Sequence, residues 1–182
     1  MATPPDFSVG QVLTAAHMDA VGLWLVKTDT ITSVASIEIT GLFSADFRNY
    51  LILLDNVKLS AAGIVRMQMG TTGGTAYYFS GAQINYSSGT LTTEIGNGGA
   101  HWFVSAVADT KSASAAITLF SPNEATETSY ESRGTDVRVG GGGLRSYSGF
   151  LNNTTAYTSV TLSNSGAGTF TSCNVSVYGY TP

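Results

Sequence analysis

Short runs of alternating apolar and polar residues, cut about every 8–15 residues by Gly, Ser, Asn or Pro, are the strongest constraint on this chain. Ser36-Ile37-Glu38-Ile39-Thr40, the run 64–69 and the run 173–180 each send one set of side chains to a core and the other to water. Tyr50-Leu51-Ile52-Leu53-Leu54 is apolar throughout, which predicts a central strand covered on both faces. Asp55-Asn56 interrupts it before Val57-Lys58-Leu59 resumes. Residues 76–86 carry four aromatics and read as a strand kinked by a bulge at Gly81. The runs 101–107 and 115–120 read as strands joined in a hairpin by Asp109-Thr110-Lys111-Ser112, and the polar run 130–139 reads as an edge strand. Ser87-Ser88-Gly89 and Gly96-Asn97-Gly98-Gly99 read as turns. Gly140 to Gly143 read as a turn, or as room for close approach at a symmetry axis. Together with 147–151 and 157–162, this predicts an all-β, antiparallel fold of about ten strands, a sandwich or a barrel. No βαβ rhythm supports a parallel sheet.

One stretch breaks the pattern. In Pro5 to Lys27 the Thr14 hydroxyl can cap a helix, Leu13 and Met18 have the spacing of a hydrophobic staple, and Gly22 can end it. The expectation is an extended arm over residues 1–12, a short helix at Thr14–Val21 and an apolar strand from Leu23. So short a helix is marginal alone, because isolated helices under roughly 12–15 residues are barely stable in water. It needs a surface to pack on. The expected division is an attachment arm with its helix at 1–27 and a β-sandwich at 28–182.

Charge narrows the function. Only 11% of the 182 residues are charged, against about 25% in ordinary soluble domains. Such a surface suits symmetric assembly. The net charge of −4 and eight scattered basic residues argue against nucleic acid as a partner. No apolar run approaches the ~20 residues of a membrane span, so membrane insertion is not expected. MATPPDFSVG lacks the basic and apolar regions of a signal peptide, which predicts a protein made in the cytoplasm and not exported by the usual route. The single cysteine, Cys173, sits in an alternating run and is expected as a buried apolar residue.

Catalytic material is sparse. His17 and His101 lack the Cys or carboxylate neighbours of a metal site. Glu124, Glu127 and Glu131 are the densest carboxylates, yet lack calcium-loop spacing and read as a solvated loop. The glycine tract lacks the Lys-Ser/Thr and helix of a phosphate loop. No nucleophile-elbow pattern is present. The expectation is a protein that is not an enzyme and carries no cofactor. Six aromatics, Tyr77, Tyr78, Tyr86, Trp102, Tyr130 and Tyr147, can form a glycan-binding surface or fill a core, since rings serve both ends.

The segment Phe7-Ser8-Val9-Gly10-Gln11-Val12-Leu13-Thr14-Ala15-Ala16-His17-Met18-Asp19 resembles the F-x-x-G-Q-x-L-T-A-A-x-M/L-N arm of tailed-bacteriophage fibre and appendage proteins, with Asp19 where Asn is usual. The run 35–54 resembles the I-x-I-T-G-x-F-S-A-x-F-x-N-Y-x-I opening of a jelly-roll-like domain in such proteins. Thr155-Ala156-Tyr157-Thr158-Ser159-Val160 and Val175-Ser176-Val177-Tyr178-Gly179-Tyr180 resemble them as well. The resemblance covers both ends and the first third of the chain. It implies a jelly-roll-like β-sandwich, commonly trimeric, mounted on a capsid, tail or fibre, with no enzymatic activity. On that reading the protein is a virion structural component, a tail-fibre or appendage module. Its arm would dock on other virion proteins by burying Phe7, Val9, Leu13, Met18, Val21 and Trp24. Capsid decoration, as a cement or head-fibre protein, and recognition of a host-surface glycan are the alternatives.

Overall fold

A computed structural model describes residues 22–71, 73–107, 111–137 and 142–180. Its strands in chain order are β1 (Trp24–Ile31), β2 (Ser36–Ile39), β3 (Asn49–Leu59), β4 (Gly63–Met69), β5 (Tyr77–Asn85), β6 (Leu91–Gly99), β7 (Trp102–Val107), β8 (Ala113–Phe120), β9 (Thr128–Asp136), β10 (Gly143–Leu151), β11 (Val160–Asn164) and β12 (Phe170–Tyr180). They form two antiparallel sheets, one of eight strands in the order β1-β12-β3-β8-β9-β10-β5-β6 and one of four in the order β2-β11-β4-β7. The all-β sandwich expected from alternation is the fold, with twelve strands in place of about ten. The short helix expected at Thr14–Val21 lies outside the described residues, and the expected boundary after Lys27 falls inside β1.

The strand order is a jelly roll with additions. The strands β1-β12-β3-β8 of the long sheet and β2-β11-β4-β7 of the short one have the order of the two jelly-roll layers. The remaining strands, β9, β10, β5 and β6, extend the long sheet beyond β8. Between the layers lie Ile52, Leu54, Ile117, Val175 and Val177 from the long sheet and Val65, Met67, Val160 and Leu162 from the short one, all buried. Each such side chain contributes about 1.5–3 kcal/mol on leaving water. Cys173 is among them, and burial pushes its thiol pKa up to about 12, so it stays protonated.

Several local expectations hold in detail. Asp55-Asn56 does interrupt its run: the register between β3 and β8 shifts between Leu54 and Val57, and Asn56 has a φ of 50°. The Asn56 side chain ties three elements, donating to Ser172 Oγ at 2.8 Å and accepting from Ser112 Oγ at 3.2 Å. The corner 41–49 folds Phe43 and Phe47 onto Tyr50, with ring centroids 4.7 and 6.1 Å from it.

Others need correction, and each turns on long-range pairing. The polar run 130–139 is not an edge: β9 lies between β8 and β10, its inner face carrying Tyr130, Ser132 and Asp136. The runs 101–107 and 115–120 are not a hairpin, because β7 and β8 belong to different sheets. Gly96-Asn97-Gly98-Gly99 is the end of β6 and not a turn. The run 50–54 is central but covered on one face only, leaving Leu53 exposed. Gly81 makes no bulge. It pairs in unbroken register with Tyr147 of β10, and its missing Cβ leaves space for that ring.

A Cβ at Gly81 would stand 2.3 Å from Cδ1 of Tyr147 and 2.3 Å from the Ser146 carbonyl oxygen. Overpacking of this kind costs about 1–3 kcal/mol. Gly81→Ala is expected to lower the free energy of unfolding measured in urea by that amount, and an unchanged value would show that Tyr147 is not held in place.

Candidate functional site

The six aromatics expected as a surface divide sharply. Tyr77, Trp102, Tyr130 and Tyr147 are buried, so they form core and not a glycan platform. Trp102 stacks on Tyr130 at 4.3 Å and meets Tyr77 edge-on at 5.0 Å. Its indole N–H donates to the Tyr78 carbonyl at 3.3 Å, and the Tyr77 hydroxyl accepts the Met69 N–H at 2.8 Å. Each polar ring atom has a partner, which is what lets such rings enter a core. Burial raises the Tyr77 pKa to about 12 and that of Tyr130 further, so both phenols stay neutral. Only Tyr78 and Tyr86 reach solvent: Tyr78 lies parallel to Phe150 at 5.1 Å, and Tyr86 stands at the turn after β5.

Of the expected docking arm, Phe7, Val9, Leu13, Met18 and Val21 lie outside the described residues, as does His17. Trp24 is half-buried in β1, its ring 5.7 Å from Phe47. Lining Phe47 is Gly179 of β12, where a Cβ would stand 2.3 Å from the Phe47 ring. Trp24 therefore packs on its own sandwich. Of the three carboxylates read as one solvated loop, Glu124 meets Arg48 at 3.4 Å at the surface, and Glu131 stands on the outer face of β9.

The outer face of the long sheet is a shallow trough. Cross-strand register aligns Thr118, Glu131, Ser148 and Ser80 in one row and Ala116, Arg133, Ser146 and Ala82 in the next. These small side chains form a floor, with a depression of about 360 Å³ over Ser80, Ser146 and Ser148 beside Glu131 and Arg133. A second depression of about 390 Å³ lies on the other side of Arg133, toward Leu53 and Leu144. The arrangement offers hydroxyls and one charge of each sign, which can hold a polar surface by hydrogen bonds. Among the described residues no three His, Cys, Asp or Glu side chains come together as a metal-binding group.

On the opposite, inner face lies a charged cluster that the sequence reading did not single out. Arg145 is 2% exposed. Its guanidinium meets the buried Asp136 carboxylate at 3.1 Å and Glu94 at 2.7 Å, and donates to Gln83 Oε1 at 2.6 Å. The Tyr147 hydroxyl joins Glu94 and Arg145. One cluster thus bridges β9, β10, β5 and β6. Burial works against the charge on Arg145, but Tyr147, Glu94 and Asp136 outweigh it and raise its pKa. The available signal was parity: Arg145 alternates in step with Tyr147 and Leu151, which places it on the inner face.

His101 is the other perturbed group. It stacks on Phe103 at 5.6 Å, and the Arg66 guanidinium lies over the same ring at 5.9 Å. Burial first, and the Arg66 charge second, lower its pKa from 6.5 to about 4. The folded state therefore holds the neutral imidazole.

Two outcomes follow from this geometry. Arg145→Met leaves the Asp136 carboxylate buried without its guanidinium and is expected to cost about 3–5 kcal/mol, measured by urea unfolding. Loss below about 1 kcal/mol would show that the cluster is already solvated. For His101, the unfolded chain binds more protons than the folded one between pH 6.5 and about 4, so its contribution to stability falls as pH drops through that window. His101→Gln is expected to flatten the stability–pH curve there, and an unaltered slope would exclude His101 as its source.

Comparison with known proteins finds no protein-family model that matches this chain and no curated protein that matches it.

Proposed function

We propose that this protein is a non-enzymatic structural component of a tailed-phage virion, a tail-fibre or appendage module that docks through its N-terminal arm and assembles as a homotrimer. The observation that carries this is the joint occurrence of the F-x-x-G-Q-x-L-T-A-A arm segment at 7–16 and a jelly-roll strand order in the domain that follows. The sandwich supports it physically. Among the described residues its single histidine, His101, stands apart from the Arg145–Glu94–Asp136 cluster, while its outer sheet face and one sheet end expose small polar and apolar side chains suited to protein contact. In this reading the arm grips another virion protein by apolar burial, and the sandwich projects outward. Repetition of a modest contact in three copies gives avidity without a tight single contact.

Capsid decoration uses the same parts and differs only in where the arm docks. The host-glycan alternative has a narrower footing, since four of its six rings are core and the polar trough beside Tyr78 is what remains to it.

The test is location on purified particles of a phage that encodes the chain. An antibody or gold label against the sandwich is expected on the tail or its fibres. Label at capsid faces or vertices would select decoration, and absence of the protein from particles would overturn the virion reading.

A further inference from the structure

Asn97 is followed by Gly98, and no other asparagine of the chain precedes a glycine. In such a pair the backbone nitrogen can attack the asparagine side chain, because a glycine has no Cβ to hinder the approach. Folding decides whether the attack is open, and at Asn97 it leaves the side chain free. Asn97 is exposed, and among the described residues no hydrogen bond holds its amide. Other asparagines are tied. Asn56 and Asn153 are held at both the oxygen and the nitrogen of the amide. So is Asn164, which precedes the small Ser165.

The backbone there is held on one side only. Attack requires the Asn97–Gly98 peptide to turn until its nitrogen faces the side-chain carbon, which a strand paired on both sides resists. β6 ends the strand order of its sheet, and among the described residues it pairs with β5 alone. Its register skips at this point: Asn97 stands opposite Tyr78 and Gly99 opposite Tyr77, so Gly98 is a bulge residue with no partner across the ladder. Gly98 has a φ of 71°, in the left-handed region. Segments at the margin of a fold open locally at a fraction of the cost of global unfolding.

We infer that Asn97 is a site of spontaneous modification in the folded protein, converting to aspartate and isoaspartate. The Gly98 backbone nitrogen gives up its proton to solvent base and attacks Cγ of Asn97. The bond between that nitrogen and Cγ forms, the bond from Cγ to Nδ2 breaks, and Nδ2 leaves with a proton as ammonia. Water then opens the five-membered imide. Cleavage of the new bond gives aspartate. Cleavage at the former main-chain carbonyl gives isoaspartate, which lengthens the main chain by one carbon within the bulge. Either product makes the net charge of −4 one unit more negative. The new carboxylate stands across from Tyr78, whose ring lies on Phe150, on a strand face that otherwise bears no charge.

Peptide mapping by mass spectrometry tests it, on the full-length chain aged at body temperature and mildly alkaline pH. The peptide containing Asn97 is expected to split into two acidic species ahead of every other asparagine-containing peptide. Its rate in the folded chain is expected to lie within about tenfold of that in guanidinium-unfolded chain, since local opening here is cheap. Asn97→Gln closes a less favourable six-membered ring, so it is expected to abolish the early acidic species on isoelectric focusing and to leave the thermal midpoint unchanged. A folded-state rate slower than that range would show that the bulge holds the peptide rigid and would overturn the inference. Earlier conversion of Asn152 or Asn123, or persistence of the acidic species in Asn97→Gln, would overturn it as well.

Discussion

The structure answers to an imbalance between its two layers. Eight strands in one sheet face four in the other, so β9, β10, β5 and β6 extend past the cover that a jelly roll supplies. A sheet face left bare there would expose Tyr77, Phe79, Tyr130, Tyr147 and Leu151, all of which are buried. The chain closes the gap in two steps. First, β7, the outermost strand of the short sheet, packs across β9 and reaches β10 and β5. Trp102 on β7, clamped between Tyr77 and Tyr130, fills the wedge. Beyond the rings comes Arg145 with Asp136, Glu94, Gln83 and Tyr147. A polar cluster can occupy the tapering margin of a core only when its members satisfy one another, and here each donor meets an acceptor.

That solution shapes what the molecule can offer others. Drawing Glu94 onto Arg145 leaves β6 with no charged side chain on its outer face. The interaction that stabilises the inner face of the extension therefore also leaves its rim apolar. The outer face retains small residues over much of its width, with Glu131 and Arg133 at its centre. Both features accord with a chain of which only 11% is charged. β1, which follows the arm in sequence, and β6 lie at opposite margins of the long sheet.

Much of the fold was legible because strand formation is a local property. Alternation at 36–40, 64–69 and 173–180 marks strands whatever they pair with, and β2, β4 and β12 lie there. The break at Asp55-Asn56 and the burial of Cys173 follow from the same period-two logic. The errors have a common source. Whether β9 is central, whether β7 and β8 share a sheet, and whether Gly96–Gly99 continues a strand all depend on partners distant in sequence. Tyr77, Trp102, Tyr130 and Tyr147 could not be told from surface rings for a related reason: aromatic residues favour strands on either face, and parity does not say which face is covered.

By itself, then, the sequence determined the class of fold, the two-faced character of most strands and the scarcity of charge, because each is set by residue type and by neighbours two positions away. Tertiary structure alone decided which strands extend past the second layer. It also decided that an arginine, two carboxylates and a tyrosine from four strands meet inside, and that the β6 edge is left apolar. Those outcomes depend on strand order, and strand order is chosen by the packing of the whole chain, not by any single run within it.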